Sequence, residues 1–457
     1  MSFFLPILPV AQVRAPLPQE VVQPQKVRVL PGHLDAVPVF NSNSPEIVQT
    51  EGILLSTFPP QAKRVPAAHL NFPLHGRFDL FAHHIAKAPH QSGQPLYLGV
   101  LLHNPTQQPV KVLVLRATSY LSQSEAPFIE LPAYVDDRFG KVHAGPGSRV
   151  MNDVLRRRGQ SGWLVSLSIP PGQSRMLANL PIPGSPSNGR TIWMRLWSNG
   201  KVHAASLALL ARKAKKRWQA PTLKDWQVLL KQGPLVKPRD RAPTPPERTS
   251  GEFVYGRVAG VAQGVLWQTV VTDPKVNYLR IPRPGKAFSY GISTLDRGTL
   301  GTGQVQSAPL LVRYPDTAYR AHGNYGIEYS LTLPLYNDTK QSQKVTLAIQ
   351  TPLKEERLTK GGLRFLNPPA RQVLFRGTVQ LRFPNQQGKI QTRYVHLVQH
   401  RGQQGKPLVR FEIPPGKRQP VQVDFLYPPD STPPQVLTVQ TLSRPNVESA
   451  TSAARPR

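Results

Sequence analysis

A short block of this chain occurs twice, once in each half, and it limits the possible folds more than any other feature. Leu102-His103-Asn104-Pro105-Thr106-Gln107-Gln108 runs into Lys111-Val112-Leu113-Val114. Leu335-Tyr336-Asn337-Asp338-Thr339-Lys340-Gln341 runs into Lys344-Val345-Thr346-Leu347. Each copy is followed by an Ile-Pro-Pro-Gly turn, Ile169 to Gly172 and then Ile413 to Gly416. Two landmarks repeated in the same order point to a duplicated β architecture.

The text around the landmarks agrees. Runs such as Leu96 to Leu102, Val110 to Leu115, Glu328 to Leu335 and Lys344 to Gln350 carry the apolar and β-branched residues of strands. The Asn- and Pro-containing stretches between them read as hairpin turns. Fifty prolines argue against a mostly helical chain, because each removes a backbone donor and fixes φ. A hydrophobic content of 39% is too high for a wholly disordered one.

One stretch reads clearly as helix. Thr222 is a natural N-cap, Leu223, Trp226, Leu229 and Leu230 form an apolar face, and Gly233 closes it. The expected fold class is therefore all-β: two tandem antiparallel β-sandwich domains of immunoglobulin-like type, joined by a short helix. The expected boundaries are a signal-like, extended arm over 1–26, a first sandwich over 27–210, a basic helix and Pro-rich linker over 211–252, a second sandwich over 253–442, and a disordered tail over 443–457. The arm begins with the apolar run Phe3 to Val10, followed by small residues around Ala11 and Ala15, as at the end of an export signal. No run approaches the ~20 apolar residues of a membrane-spanning helix.

Charge is the second constraint. Lys and Arg number 57 against 25 Asp and Glu, a formal net charge of +32. Such a field favours anionic partners. Cysteine is absent, which excludes disulfides, thiol nucleophiles and thiolate metal sites. Basic residues concentrate in Arg212, Lys213, Lys215, Lys216 and Arg217, beside Trp218, and in Arg156, Arg157 and Arg158. Clustered cations beside an aromatic suit a polyanion, and these eight residues are the candidate binding set.

Several further stretches resemble a family of exported cyanobacterial proteins catalogued only as a domain of unknown function. These are Pro38 to Glu46, Gln49 to Pro60, Arg257 to Gly264, Tyr290 to Leu295, Arg297 to Gly303 and, most strongly, Val312 to Gly326. The resemblance covers about Val27 to Leu442. It implies an envelope protein with an export signal and supplies no catalytic residues.

Other constellations read weakly. His75, Asp79, His83, His84 and His90 lack the spacing of zinc sites, and adjacent His83 and His84 on a strand face opposite ways. Gly298, Gly301 and Gly303 are not followed by the helix a phosphate loop needs. Asp136-Asp137 lacks a ligand-rich calcium loop. Trp193 and Trp197, four positions apart on a strand, share a face and read as core before they read as a sugar platform. The sequence thus leads to a non-enzymatic, exported envelope protein without a cofactor, whose partner is an anionic envelope polymer or an envelope protein. A cytosolic nucleic-acid-binding protein is the alternative that charge suggests, and a carbohydrate-binding sandwich is the third.

Overall fold

The computed structural model describes residues 17–87, 93–184, 187–214 and 217–443. Strands are their main element, with two short α-helices among the described residues: α1 (Pro146–Leu155) and α2 (Leu223–Gln232). The all-β class read from proline content and alternating runs is the class observed.

The repeated block is the same structure twice. The Asn104 carboxamide donates to the carbonyls of Gln108 at 2.7 Å and Ile169 at 2.9 Å, and accepts the Thr106 backbone N–H and hydroxyl, both at 2.8 Å. Asn337 donates to Gln341 at 2.8 Å and Ile413 at 2.7 Å, and accepts the same two groups of Thr339 at 3.0 and 2.7 Å. The backbone repeats as well, with the Gly172 N–H on the Asn104 carbonyl and the Gly416 N–H on that of Asn337. Both glycines take left-handed φ values, +64° and +67°, at the end of their Pro-Pro-Gly turns.

The expected hairpins are not hairpins. Leu96–His103 pairs with Ser174–Ile182, and Val110–Leu121 pairs with Ser166–Ile169. Each turn therefore carries the chain from one sheet into another, and one asparagine side chain ties the two arches together. The second copy repeats this, with Glu328–Tyr336 on Arg418–Leu426 and Gln343–Gln350 on Val409–Ile413. Leu98, Val100 and Leu102 of one sheet and Val110 and Val112 of the other are buried in one core that the two sheets share.

In the first half the 23-residue strand Asn188–Leu210 serves both sheets. Its start lies between Leu74–Ala86 and Val110–Leu121, and its end lies between Leu96–His103 and Gly52–Ser56. α2 covers the outer face of the second of these sheets. Trp226 is buried there against Gly99, where a Cβ would lie 2.8 Å from the indole. Thr222 is the N-cap that the sequence suggests, and Asp225 completes a capping box with it at the helix start. In the second half a seven-stranded and a five-stranded sheet enclose one core that includes Leu331, Leu333, Val345, Leu347, Val379, Val423 and Val439.

The two halves exchange strands, which the sequence does not announce. Pro38–Ser42 runs parallel to Leu74–Ala86 on one edge and antiparallel to Ala259–Gln263 on the other. Gln19–Gln23 pairs with Leu363–Asn367, Lys26–Arg28 with Ala287–Ile292, and Tyr134–Asp136 with Ile390–His400. The buried Tyr314 adds a polar stitch: its hydroxyl accepts the Ser56 N–H at 3.0 Å and donates to the Ala68 carbonyl at 2.8 Å. α1, unforeseen in the sequence, fills the seam. Its Val150, Met151, Val154 and Leu155 are buried, and it touches strands of both halves.

The paired asparagines predict their own test. Removing either carboxamide takes a partner from the Ile169 or Ile413 carbonyl and from a threonine backbone N–H, at roughly 1–3 kcal/mol for each truly buried group. The Gln108 and Gln341 carbonyls keep the Thr106 and Thr339 hydroxyls. Asn104→Ala and Asn337→Ala should each lower unfolding free energy by about 2–3 kcal/mol in urea titrations. A loss below about 0.5 kcal/mol, the scale of an ordinary surface change, would show that the carboxamides do not hold the arches.

Candidate polyanion interface

The residues around 212–219 form a small hairpin of their own. Arg212–Ala214 pairs with Arg217–Gln219, and neither strand joins a larger sheet. The Arg212 side chain is 75% exposed and lies 3.5 Å from Asp225 at the start of α2. The Lys213 ammonium lies 5.8 Å from the centre of the Trp218 ring, and Arg217 is exposed. Lys215 and Lys216 lie outside the described residues.

The run 156–158 divides. Arg156 turns inward: its guanidinium meets the Asp137 carboxylate at 3.1 Å, donates to the Asp137 carbonyl and lies 3.7 Å over the Tyr394 ring. Asp137 is buried and also accepts from Asn152 at 3.1 Å and from the backbone of Lys141 and Val142. Arg156 is thus a bolt across the seam. Arg158 is exposed and donates to the Phe139 carbonyl at 3.1 Å. Arg157 is exposed in a left-handed conformation, φ 57°.

Arg157 has neighbours that sequence reading missed. Arg116 on Val110–Leu121 and Arg195 on Asn188–Leu210 share its electrostatic environment. Burial, then Arg195 and Arg157, hold the Arg116 pKa below its usual range. The three surround one carboxylate, Glu328, which Arg195 approaches at 3.8 Å and which burial pushes upward in spite of them. No spacing rule finds this group, because its members come from three distant segments.

The remaining candidates resolve into structure. His83 and His84 lie in the buried strand Leu74–Ala86. His84 bonds the Ser42 hydroxyl and the Pro45 carbonyl, both at 2.9 Å, while His83 faces Thr191 at 2.8 Å and Glu46 at 3.6 Å. Asp79 pairs with Arg77 at 2.7 Å, and burial pushes it up to about 6. His90 lies outside the described residues. Among the described residues no three of His, Asp and Glu converge as metal ligands. The amides near Gly298 are taken, Thr299 by the Glu356 carboxylate and Gly301 by the Glu356 carbonyl. Asp136 pairs with Arg393 at 2.9 Å. Trp193 is buried under the second half, whereas Trp197 is 39% exposed, so the two make no platform.

The seam also carries a cleft of about 510 Å³ lined by Glu46, His83, Phe128 and Asp430. Glu46 is pinned by His83 and by Arg257 at 2.5 Å. The contact with His83 outweighs burial and, with Arg257, holds Glu46 at about 2, so it keeps its charge and is no proton donor near neutrality. Burial opposes charge on His83, but Glu46 and Asp430 prevail and raise it. Asp430 stands at the first turn of α1, where a Cβ on Gly147 would lie 2.7 Å from its Oδ2.

Buried imidazoles give a pH prediction. Burial pushes His84 and His396 down to about 4 from 6.5. Between those values the unfolded chain binds protons that the folded chain refuses. The contribution of these two imidazoles is therefore full above pH 6.5 and declines as pH falls toward 4. At ~1.4 kcal/mol per unit, His84 alone accounts for a loss on the order of 3 kcal/mol. Asp79, held up to about 6 by burial, runs the opposite way below that pH, so the check is a comparison. Urea unfolding at pH 7.5 and pH 4.5 should show a smaller acid loss in His84→Gln than in the parent protein, and an equal loss in both would contradict the assignment.

Comparison with known proteins bears on the chain as a whole. No curated relative matches it. Among solved structures, Lac15 from a marine microbial metagenome aligns at 10% identity over 91% of this chain, with a TM-score of 0.11 that carries no argument. The chain spans 65% of that protein's length. A family model described as "Protein of unknown function (DUF3370)" matches residues 25–441, from the strand Lys26–Arg28 to the last core strand, and the chain belongs to that family.

Proposed function

We propose that this is a non-enzymatic, exported protein of the cell envelope that contacts an anionic envelope polymer. The observation that carries the reading is the division of the cations. Arg156 is consumed inside the fold, whereas Arg212, Lys213 and Arg217 stand on a hairpin outside the main sheets. With 57 Lys and Arg against 25 Asp and Glu, most cations have no protein carboxylate to meet. Export rests on the signal-like residues 3–15, which lie outside the described structure, and on the resemblance to exported cyanobacterial proteins. The pinning of Glu46 supports a binding role over acid–base chemistry, which requires a group that exchanges its proton near the working pH.

A polymer held in this way releases counterions, so binding weakens steeply with salt, by roughly 0.7–0.9 in log–log slope per charge contact on nucleic acids. Replacing Arg212, Lys213, Lys215, Lys216 and Arg217 by Gln should reduce retention on acidic polysaccharide at low salt and flatten that slope. Unchanged retention would reject the hairpin as the contact. Fractionation of the host with N-terminal sequencing tests location. A processed envelope form agrees with the proposal, and an unprocessed cytoplasmic form that binds DNA or RNA would replace it with the nucleic-acid reading.

A further inference from the structure

Arg190 is a buried cation without a buried anion. It sits in the long strand Asn188–Leu210 with 6% of its surface exposed. Its Nε donates to the Pro181 carbonyl at 3.0 Å and its Nη1 to the Ser119 hydroxyl at 2.9 Å. Nη2 has no hydrogen-bond partner among the described residues, and no carboxylate of those residues comes within ion-pair distance of the guanidinium. Glu125 is the acid it feels, from farther away, and the Glu125 Oε2 is held by the Leu121 N–H at 2.7 Å. Burial accordingly lowers the Arg190 pKa. A buried charge that meets only neutral acceptors is costly unless an opposite charge arrives.

The surroundings are those of a ligand site. Arg190 lines a cavity of about 390 Å³ together with Glu125, Gln160, Ser161, Trp163 and Asn179. That volume lies within the roughly 300–1,000 Å³ of small-molecule sites. Trp163, also at the lining, is positioned by a hydrogen bond from its indole N–H to Gln160 at 3.2 Å. The buried Oδ1 of Asn179 has no partner among the described residues, while its Nδ2 donates to the Pro221 carbonyl at 2.8 Å. Pro221 lies two residues past the end of the basic hairpin at Gln219. The cavity and the hairpin are therefore neighbours, joined by one side chain.

We propose that the Arg190 cavity is a subsite for one carboxylate-bearing sugar unit of the polymer. The guanidinium takes the carboxylate, Trp163 takes the ring face, and Gln160, Ser161 and Asn179 take hydroxyls. This deepens the polymer-binding reading and rests on it for the source of the sugar. The hairpin then supplies long-range, salt-sensitive attraction, and the cavity supplies recognition that survives salt, because a desolvated pair is screened less than an exposed one.

Calorimetry on the full chain tests this with galacturonic acid and tetragalacturonate, with maltotetraose as the neutral control and inorganic phosphate as competitor. Arg190→Gln and Trp163→Ala should each weaken both uronates about tenfold or more, the scale of a lost charged hydrogen bond or stacked ring. The five-residue hairpin variant should weaken tetragalacturonate at low salt and leave galacturonic acid alone. Where Arg190→Gln fails to fold, judged by its melting transition, Trp163→Ala and Arg190→Lys decide. Uronate binding unchanged in Trp163→Ala and in a folded Arg190 variant overturns the subsite. Equal binding of maltotetraose overturns the anion requirement, and tighter binding of phosphate overturns the sugar. Loss in the hairpin variant alone, for both uronates, leaves the polymer reading standing and removes the cavity from it.

Discussion

The architecture depends on one five-residue strand. Pro38–Ser42 is hydrogen-bonded along both edges, to the first half through Leu74–Ala86 and to the second through Ala259–Gln263. A strand paired on both sides has no free edge, and its backbone donors and acceptors are satisfied only while both halves are in place. Trp193 then lies against Gly326, whose φ of +84° and lack of a Cβ allow the indole within 3.0 Å of where a side chain would begin. Tyr314, α1 and the Asp137–Arg156 contact each presuppose the same docking. The core that contains Trp193 and Phe81 is continuous with the one that contains Tyr329 and Phe425.

That docking sorts the charges. A cation drawn into the seam meets a carboxylate and an aromatic ring and is lost to outside partners, as Arg156 is. A cation on the isolated hairpin keeps its hydration and its reach. Arg190 is a third case, buried by its own sheet and not neutralised in it. Net charge alone treats all three alike, and it is the difference between them that gives a polyanion reading its geometry.

Much of the fold was legible in local text. The Asn-x-Thr-x-Gln block and the Ile-Pro-Pro-Gly turn marked the repeat because a carboxamide clasp and a left-handed glycine need those residues at those places. Thr222 and Trp226 announced α2, since an N-cap and an apolar stripe are features of a single segment. α1 escaped notice because Gly145 gives it no side-chain cap. The turns were misjudged as hairpins because an arch and a hairpin use the same turn residues. They differ in where the next strand finds its partner. The site was less legible. Arg116, Arg157 and Arg195 meet from three segments, and Arg190 reads as one more surface cation until its burial is seen.

The sequence by itself determined the strand-rich class, the duplicated clasp, the capped helix and the excess of positive charge, because each is set by residue type and short-range spacing. Only the tertiary structure decided which sheets the repeated strands enter, how the halves share strands, and which arginines remain available. Those outcomes rest on contacts between residues tens to hundreds of positions apart, where burial and pairing, not local propensity, settle the free energy.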